Sequence, residues 1–343
     1  MEILVNEKIL IIQTAFLGDS ILTLPMVQKL KEKYPNSIIS VLCIPSTKEI
    51  FESSLYVDEV LVYDKKISQK SFYDLLKLIR IIRKKKYTHV YSPHRSIRST
   101  LIAFLSGANS TCGFDIAGLS FLYKTKIKYQ RNKHEVARNL DLIGYDTSGN
   151  NWKILPEILI NPETIEKINN IPAIIENNKI IAIAPGSVWK TKIYPRKYFI
   201  NVIESLISEK TFIVLIGGKD DEILCNEIEK IISFHVKSFA GILSVKESIA
   251  LLQHCSVLIS NDSAPTHLGM IANIPTITVY CSTVPSFGFY PYNNNSFYIS
   301  YDKLDCKPCG IHGYRECPLK TFDCGYKLLP DIIISKLKEK NIL

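Results

Sequence analysis

The chain lacks any run of about 18 consecutive apolar residues, the length a bilayer-crossing helix needs. No transmembrane helix is therefore expected among its 343 residues. Its start, MEILVNEKILIIQ, carries acids at Glu2 and Glu7 and has no basic n-region of the signal-peptide kind. A cytoplasmic protein is the expectation, so its nine cysteines are read as thiols or metal ligands before disulfides. Neither G-x-G-x-x-G nor G-x-x-x-x-G-K-S/T occurs, which removes the usual dinucleotide and P-loop signals. No short-period repeat and no low-complexity tract is present. Acids almost vanish from one segment. Between Lys77 and Arg138, fourteen Lys and Arg face only Asp115 and Glu135. Net charge is +9, so the rest of the chain is slightly acidic. Such a local excess suits an anionic partner: phosphate, nucleic acid, acidic saccharide or a membrane surface. A solvated face is enough to explain RKKK (83–86) by itself. Nucleic acid is the poorest fit, because the segment has no recognised module and no aromatic stacking pattern.

What the chain does have is alternation. Hydrophobic content is 46% and charged content 22%, ordinary for a globular protein, and the length suits two domains. KILIIQT (8–14), SIISVLCI (37–44), EVLVYD (59–64) and HVYS (89–92) read as strands. Helical periodicity runs from Ser20 to Tyr34 and from Ser71 to Lys86. The pattern lapses after Ile143 into a Gly-, Asn- and Pro-rich stretch read as a linker, then restarts. KIIAIAPG (179–186), TFIVLIGG (211–218), SVLIS (256–260) and TITVYC (276–281) are the second set of strands. Ser244 with Glu247 three residues on is a capping-box signature, and LPDIIISKLKEKNIL closes the chain as a helix. Short buried strands separated by helices imply two tandem doubly wound α/β domains. Ligands of such sheets sit outside the carboxyl ends of strands, which makes those ends the candidate positions.

Three constellations occupy those positions. After the first strand comes QTAFLGDSILTLP, where Asp19 is either the N-cap of a helix starting at Ser20 or a carboxylate available as a general base. After the first strand of the second set comes PGSVWKTKIYP. Its Ser187, Thr191, Lys190 and Lys192 precede a probable helix start, either as a diphosphate site or as an exposed basic loop. The third is ISNDSAPTHLGMIANIPTITVYCSTVP. Here Asp262 and Ser263 end a buried strand and His267 lies about one turn into a helix, as a phosphate site or as a plain cap and a core histidine.

In order and spacing, ILIIQTAFLGDSILTLPMVQKLKEKYP, IAPGSVWKTKIYP and the third stretch resemble the ADP-heptose:lipopolysaccharide heptosyltransferases of glycosyltransferase family nine. The tail CKPCGIHGYRECPL is similar to a cysteine motif of heptosyltransferase II members. The resemblance spans nearly the whole chain. It implies a GT-B fold: an acceptor-binding domain (1–165), an ADP-heptose-binding domain (175–327) and a last helix (328–343) returning to the first domain. It implies that Asp19 is the catalytic base. Ser187, Thr191, Lys192, Asp262, Ser263, Ala264 and His267 would hold the donor. Ala264 stands where the family's pattern has Gly, Ile193-Tyr194 where Arg-Trp is common, and Cys281 where a Gly often follows the strand. His94, Arg95 and Arg98 in YSPHRSIRST would meet the carboxylates of a Kdo-lipid A or heptosyl-Kdo-lipid A acceptor. The basic segment would then dock on the cytoplasmic face of the inner membrane. The implied reaction is an inverting transfer of heptose to the lipopolysaccharide inner core. A family-nine transferase using another nucleotide-sugar, or a GT-B-like nucleotide-sugar epimerase, is the alternative. No Asp-x-Asp motif follows a strand, so this reading requires no divalent ion. Cys306, Cys309, Cys317 and Cys324 have a spacing compatible with structural zinc, with packed thiols or a disulfide as the other readings.

Overall fold

The computed structural model describes residues 7–64, 71–172, 174 and 179–342. Glu2 therefore lies outside the described residues. The chain divides into two units, Met1–Leu159 and Ile160–Leu343.

The first unit is a six-stranded sheet in the order β3-β2-β1-β4-β5-β6. The strands are β1 (Lys8–Ile12), β2 (Ile38–Cys43), β3 (Glu59–Val62), β4 (His89–Ser92), β5 (Ser110–Phe114) and β6 (Thr125–Ile127), all paired in parallel. β1 is buried on both faces (Ile9 to Ile12 are all inaccessible), which is why it reads as an uninterrupted apolar run. Helix α4 (Phe72–Lys85) is fixed at its start by a reciprocal capping box between Ser71 and Asp74. Leu75, Leu78, Ile79 and Ile82, spaced for one helical face, enter a cluster with Leu10, Ile12 and Val90 of the sheet.

The expected single helix from Ser20 to Tyr34 is two helices, α1 (Leu17–Ile21) and α2 (Leu24–Lys33). The break has a chemical cause. Pro25 has no N–H to return to the Ile21 carbonyl, and the Thr23 hydroxyl donates to the Asp19 carbonyl at 2.8 Å. Helix α1 therefore ends one turn after it begins.

The second unit repeats the scheme. Its sheet runs β12-β11-β10-β7-β8-β9: β7 (Lys179–Ala184), β8 (Thr211–Leu215), β9 (Val236–Ser238), β10 (Val257–Asn261), β11 (Thr276–Tyr280) and β12 (Phe297–Ser300). Counted within the unit, this is again 3-2-1-4-5-6, the dinucleotide-fold order whose ligand crevice opens between the first and fourth strands. The Ser244–Glu247 capping box forms as expected, with Ser244 at the N-cap of the helix Val245–Gln253.

One element differs from expectation. The linker contains a helix, α7 (Pro162–Asn169), opened by Pro162 in its first turn. It belongs to the second unit, where Lys167 pairs with Glu247 at 2.5 Å. The split between the units falls at 159/160, just before this helix. The last helix, Pro330–Glu339, places its buried Ile333 and Leu337 in the second unit's core with Tyr194 and Phe199, where the helix Arg196–Leu206 offers an apolar seat.

Gly113 marks a tight point of the first sheet. A Cβ built on it falls 2.4 Å from the Tyr123 ring, whose hydroxyl accepts from Thr100 Oγ1 at 3.1 Å. Gly113→Ala should therefore cost about 1–3 kcal/mol. A lowered urea midpoint with unchanged m-value would register it; an unchanged midpoint would mean the ring yields freely.

Candidate functional site

The first unit's switch lies between β1 and β4. Thr14 follows β1 and His94 follows β4, and Thr14 Oγ1 sits 2.8 Å from His94 Nδ1. Ser99 Oγ approaches the same nitrogen at 2.9 Å. His94 is thus held by hydroxyls from both sides of the crevice. Arg95 is half-buried beside it, and Arg98 is exposed on α5 (Ile97–Leu105).

Asp19 is not an N-cap. That position belongs to Phe16, and Asp19 lies in the first turn of α1, where the helix dipole favours an acid. Its carboxyl is nevertheless raised from 3.8 to about 6. Burial is the main cause and the Glu135 charge the second, while Arg95 and the backbone amides of Asp19 and Phe16 pull the other way. A carboxylate so placed is poised between acid and base near neutral pH.

Glu135 opens α6 (Glu135–Asp141) and anchors a cluster that inspection of the sequence had not singled out. Arg138 pairs with it at 2.7 Å, and both side chains are almost wholly buried. The other Arg138 nitrogens donate to the carbonyls of Gln130 and Arg131 at 2.9 and 2.8 Å. Removing one partner of such a pair costs about 3–5 kcal/mol, because the other charge is left stranded. The Tyr129 ring lies between two guanidiniums, Arg95 at 4.4 Å and Arg138 at 4.6 Å. Arg95 Nη1 is buried with no hydrogen-bond partner among the described residues, and stands 3.8 Å from Glu135 Oε1. Asn139 Nδ2 donates to the Leu22 carbonyl at 3.0 Å and ties α6 to the end of α1. The sequence signal for this cluster was faint: an acid and a base three apart at a helix start.

In the second unit the switch lies between β7 and β10, and one buried side chain closes it. Asn261, the last residue of β10, donates from Nδ2 to the Pro185 and Gly186 carbonyls at 2.7 and 3.2 Å. Its Oδ1 accepts from the Tyr194 amide at 2.9 Å. Asn261 thereby fixes both ends of the loop carrying Ser187, Thr191 and Lys192. Gly186 is required at the loop's start, since a Cβ there would fall 1.8 Å from the Asp221 carboxylate.

Lys192 Nζ lies 2.7 Å from Asp262 Oδ2, and Thr283 Oγ1 donates to that oxygen at 2.6 Å. Ser263 is the N-cap of the helix Ala264–Ala272 but makes no side-chain cap bond. Its hydroxyl turns back to the Asn261 carbonyl at 3.3 Å, so it leaves the helix's first amides to other acceptors. His267 is buried, and its Nδ1 has no hydrogen-bond partner among the described residues. Burial first, and Lys192 less, push its pKa down to about 4 against the pull of Asp262, which leaves the ring neutral. An unpartnered buried nitrogen beside a lysine–carboxylate pair and a helix N-terminus makes a place for an anion carrying further polar groups. Thr191, Lys192, Asp262, Ser263 and His267 are thus brought together, with Asn261 and Thr283 as additions.

The cysteine segment packs against the Lys192 turn. Cys306, Cys309, Cys317 and Cys324 are free thiols, and among the described residues no three His, Cys, Asp or Glu form a group that could hold a metal ion. The four thiols lie close enough together to act on one another's charge. Protein groups also hold the loop. Tyr314 N donates to Thr191 Oγ1 at 2.8 Å, Thr191 N to the Tyr314 carbonyl at 3.1 Å and Cys309 N to the Ser282 carbonyl at 2.8 Å. Lys307 donates to the Tyr280 carbonyl at 2.9 Å and to Ser300 at 2.7 Å. Trp189 stacks on His312, with ring centroids 6.0 Å apart. The loop thus braces the Lys192 turn.

The sequence model of glycosyltransferase family 9 (heptosyltransferase) matches residues 75–319, and a shorter match, to the Rdx family, covers residues 24–84. A lipooligosaccharide heptosyltransferase 2 of Campylobacter jejuni is 24% identical over 97% of this chain and 98% of its own length. Among solved structures, a family 9 glycosyl transferase from Veillonella parvula superposes with a TM-score of 0.82 at 21% identity, covering 97% of each chain. The ADP-heptose lps heptosyltransferase II of E. coli gives 0.78 at 19% identity, over 97% of this chain and 98% of that one. These likenesses give the fold as GT-B.

The pair of charges around Asp19 sets opposite expectations. Arg95→Gln should raise the Asp19 pKa above about 6, and Glu135→Gln should lower it. A carboxyl-carbon NMR titration of the three proteins reads both shifts; movement in the same direction would contradict the electrostatic assignment.

Proposed function

This chain belongs to glycosyltransferase family 9, the heptosyltransferases, and we propose that it transfers heptose from ADP-heptose to the inner core of lipopolysaccharide with inversion at the anomeric carbon. It is a glycosyltransferase by its family, and its Campylobacter relative carries the heptosyltransferase 2 name. The observation that carries the donor assignment is the Lys192–Asp262 pair at the helix N-terminus, beside the unpartnered His267 nitrogen.

In this reading the diphosphate of ADP-heptose meets the first amides of the helix Ala264–Ala272 and Lys192. The ammonium has three donors, so it can serve Asp262 and a phosphate oxygen together. Ser187, Thr191, Ser263 and Ala264 line the approach, and neutral His267 offers its free nitrogen to a ribose or sugar hydroxyl. The acceptor, Kdo-lipid A or its heptosylated form, meets His94, Arg95 and Arg98. The buried Arg95 Nη1 that lacks a hydrogen bond suits a Kdo carboxylate.

Asp19 takes the proton of the acceptor hydroxyl. The oxygen then forms its bond to the anomeric carbon as the bond to the diphosphate oxygen breaks. ADP departs with the electron pair, and Lys192 and the helix amides stabilise the charge it gains. With Asp19 near pH 6, turnover should fall as pH drops through about 6, where the base becomes protonated. The acceptor's lipid places the work at the cytoplasmic face of the inner membrane. Among the described residues no helix is long and apolar enough to cross a bilayer.

The direct test is ADP release from ADP-heptose with and without Kdo-lipid A: acceptor-dependent release supports the reading, and release that ignores the acceptor overturns it. Asp19→Asn should lower turnover by roughly 10²-fold or more with donor affinity nearly kept, whereas Lys192→Ala should weaken ADP binding in a calorimetric titration. Wild-type turnover in the first, or wild-type affinity in the second, would remove that residue from its role.

A further inference from the structure

Helix α5 presents apolar side chains on two faces, one to the core and one outward. Its buried residues include Ser99 and Thr100, with Ile102 and Ala103, while Ile97 and Phe104 are more than half exposed. The inward hydroxyls are accounted for: Ser99 meets His94, and Thr100 meets Tyr123. Of the outward apolar row, Ile97 is met by the Gly118 turn and Leu101 is half-buried, while Phe104 stays more than half exposed. Ile97, Leu101 and Phe104 follow the helical spacing of one face, against the rule that a surface helix turns its polar side to water.

The neighbouring turn extends the same face. Gly118 packs against Ile97, where an added Cβ would come within 2.5 Å of Ile97 Cγ1, and Gly118 N donates to the Arg95 carbonyl at 3.1 Å. Directly after it, Leu119 takes a positive φ of 59°, a conformation costly to a leucine. It leads into a single turn that leaves Phe121 70% exposed. Ile116 on the same turn is 52% exposed.

The surround is cationic. Arg98 is exposed on α5, and Lys124, Lys126 and Lys128 are exposed on and beside β6. On α4, which packs next to α5, the outward face carries Lys77, Arg80 and Lys84 with Tyr73 and Ile81. Asp115 is the one acid between Lys77 and Lys133, and it accepts the Tyr129 amide at 2.9 Å.

We propose that α5 and the turn 116–121 form a docking face for an anionic lipid bilayer, with Phe104 and Phe121 entering the acyl boundary and the surrounding lysines and arginines meeting lipid phosphates. The inference deepens the function proposed above and rests on it in one respect: the acceptor there is a membrane lipid. Apolar anchors ringed by cations are what an interfacial surface needs, because burial of aromatic area and attraction to the charged leaflet add. A protein partner of opposite charge would need no apolar row, and an acceptor sugar would need no phenylalanines. The same helix carries Arg98 near its start, so docking would present the candidate acceptor residues to lipid headgroups.

The experiment uses the full chain and needs no substrate. Co-sedimentation is measured with vesicles of phosphatidylethanolamine and phosphatidylglycerol, and with pure phosphatidylcholine vesicles. Binding is expected to the anionic vesicles and to weaken as salt is raised. Phe104→Ser with Phe121→Ser should weaken it roughly tenfold, as should the triple change of Lys124, Lys126 and Lys128 to Gln. Ile223→Ser, at an exposed position of the second unit, should leave it unchanged. Equal binding by all variants, or none by the wild type, overturns the proposal. So does a dimer in light scattering that the double variant turns into a monomer, because the face would then be an interface between copies. ADP release with a water-soluble Kdo acceptor fragment separates the two claims. If vesicles bind but no transfer occurs, the functional reading fails and the docking face stands. If transfer proceeds and vesicles do not bind, only the docking face fails.

Discussion

The second unit depends on a single amide side chain. A parallel sheet in this order parts its chain connections between the first and fourth strands, and something must hold the two strand ends together there. Asn261 does so from the β10 side, by taking the Pro185 and Gly186 carbonyls and the Tyr194 amide. It is fully buried, so each of those bonds replaces a desolvated group that would otherwise cost about 1–3 kcal/mol. Because Gly186 and Tyr194 bracket the loop, Asn261 sets where Lys192 can be. Asp262 then follows one residue later and receives that lysine. Aspartate in place of Asn261 could accept from Tyr194 but not donate to Pro185 and Gly186.

The first unit uses the same scaffold with a different solution. Its crevice is closed by Thr14 and His94, and its charge centre is the buried Glu135–Arg138 pair. That pair is stabilised less by attraction than by completeness, since Arg138 also satisfies two carbonyls and the Tyr129 hydroxyl. What it does for the site is electrostatic. Burial raises Asp19 most, Glu135 adds to that rise and Arg95 restrains it. The proposed donor side works the other way. His267 is driven neutral by burial, and cationic character is left to Lys192 and the helix end.

The parts of this arrangement legible in the sequence were those with local causes. Buried parallel strands show as apolar runs, and β1, β7, β10 and β11 were placed within two residues of their ends. Ser244 and Glu247 announced their helix three residues apart. Asp262 and His267 were visible because a strand end, a cap and a helical turn share one short segment. The parts that were missed have distant partners. Asn261 bonds to a carbonyl 76 residues away, and no spacing rule reaches that far. Glu135 and Arg138 became visible only once α6 was seen beside Asp19. The short edge strands β6 and β9 carry lysine at their exposed positions, which hides the strand pattern while protecting the edge. The loop carrying the four cysteines is tied by Lys307 and by backbone bonds to Thr191 and Ser282, and such ties leave no mark in residue spacing.

The central claim is that the loop bracketed by Asn261 and the helix end after β10 together receive a nucleoside diphosphate. Hydrogen–deuterium exchange of the full chain with and without ADP tests it most directly. The account predicts slowed exchange in peptides spanning 186–194 and 262–268, with little change in peptides of the β1 and β4 ends. Protection confined to the first unit, or absent from both segments at saturating ADP, would contradict it.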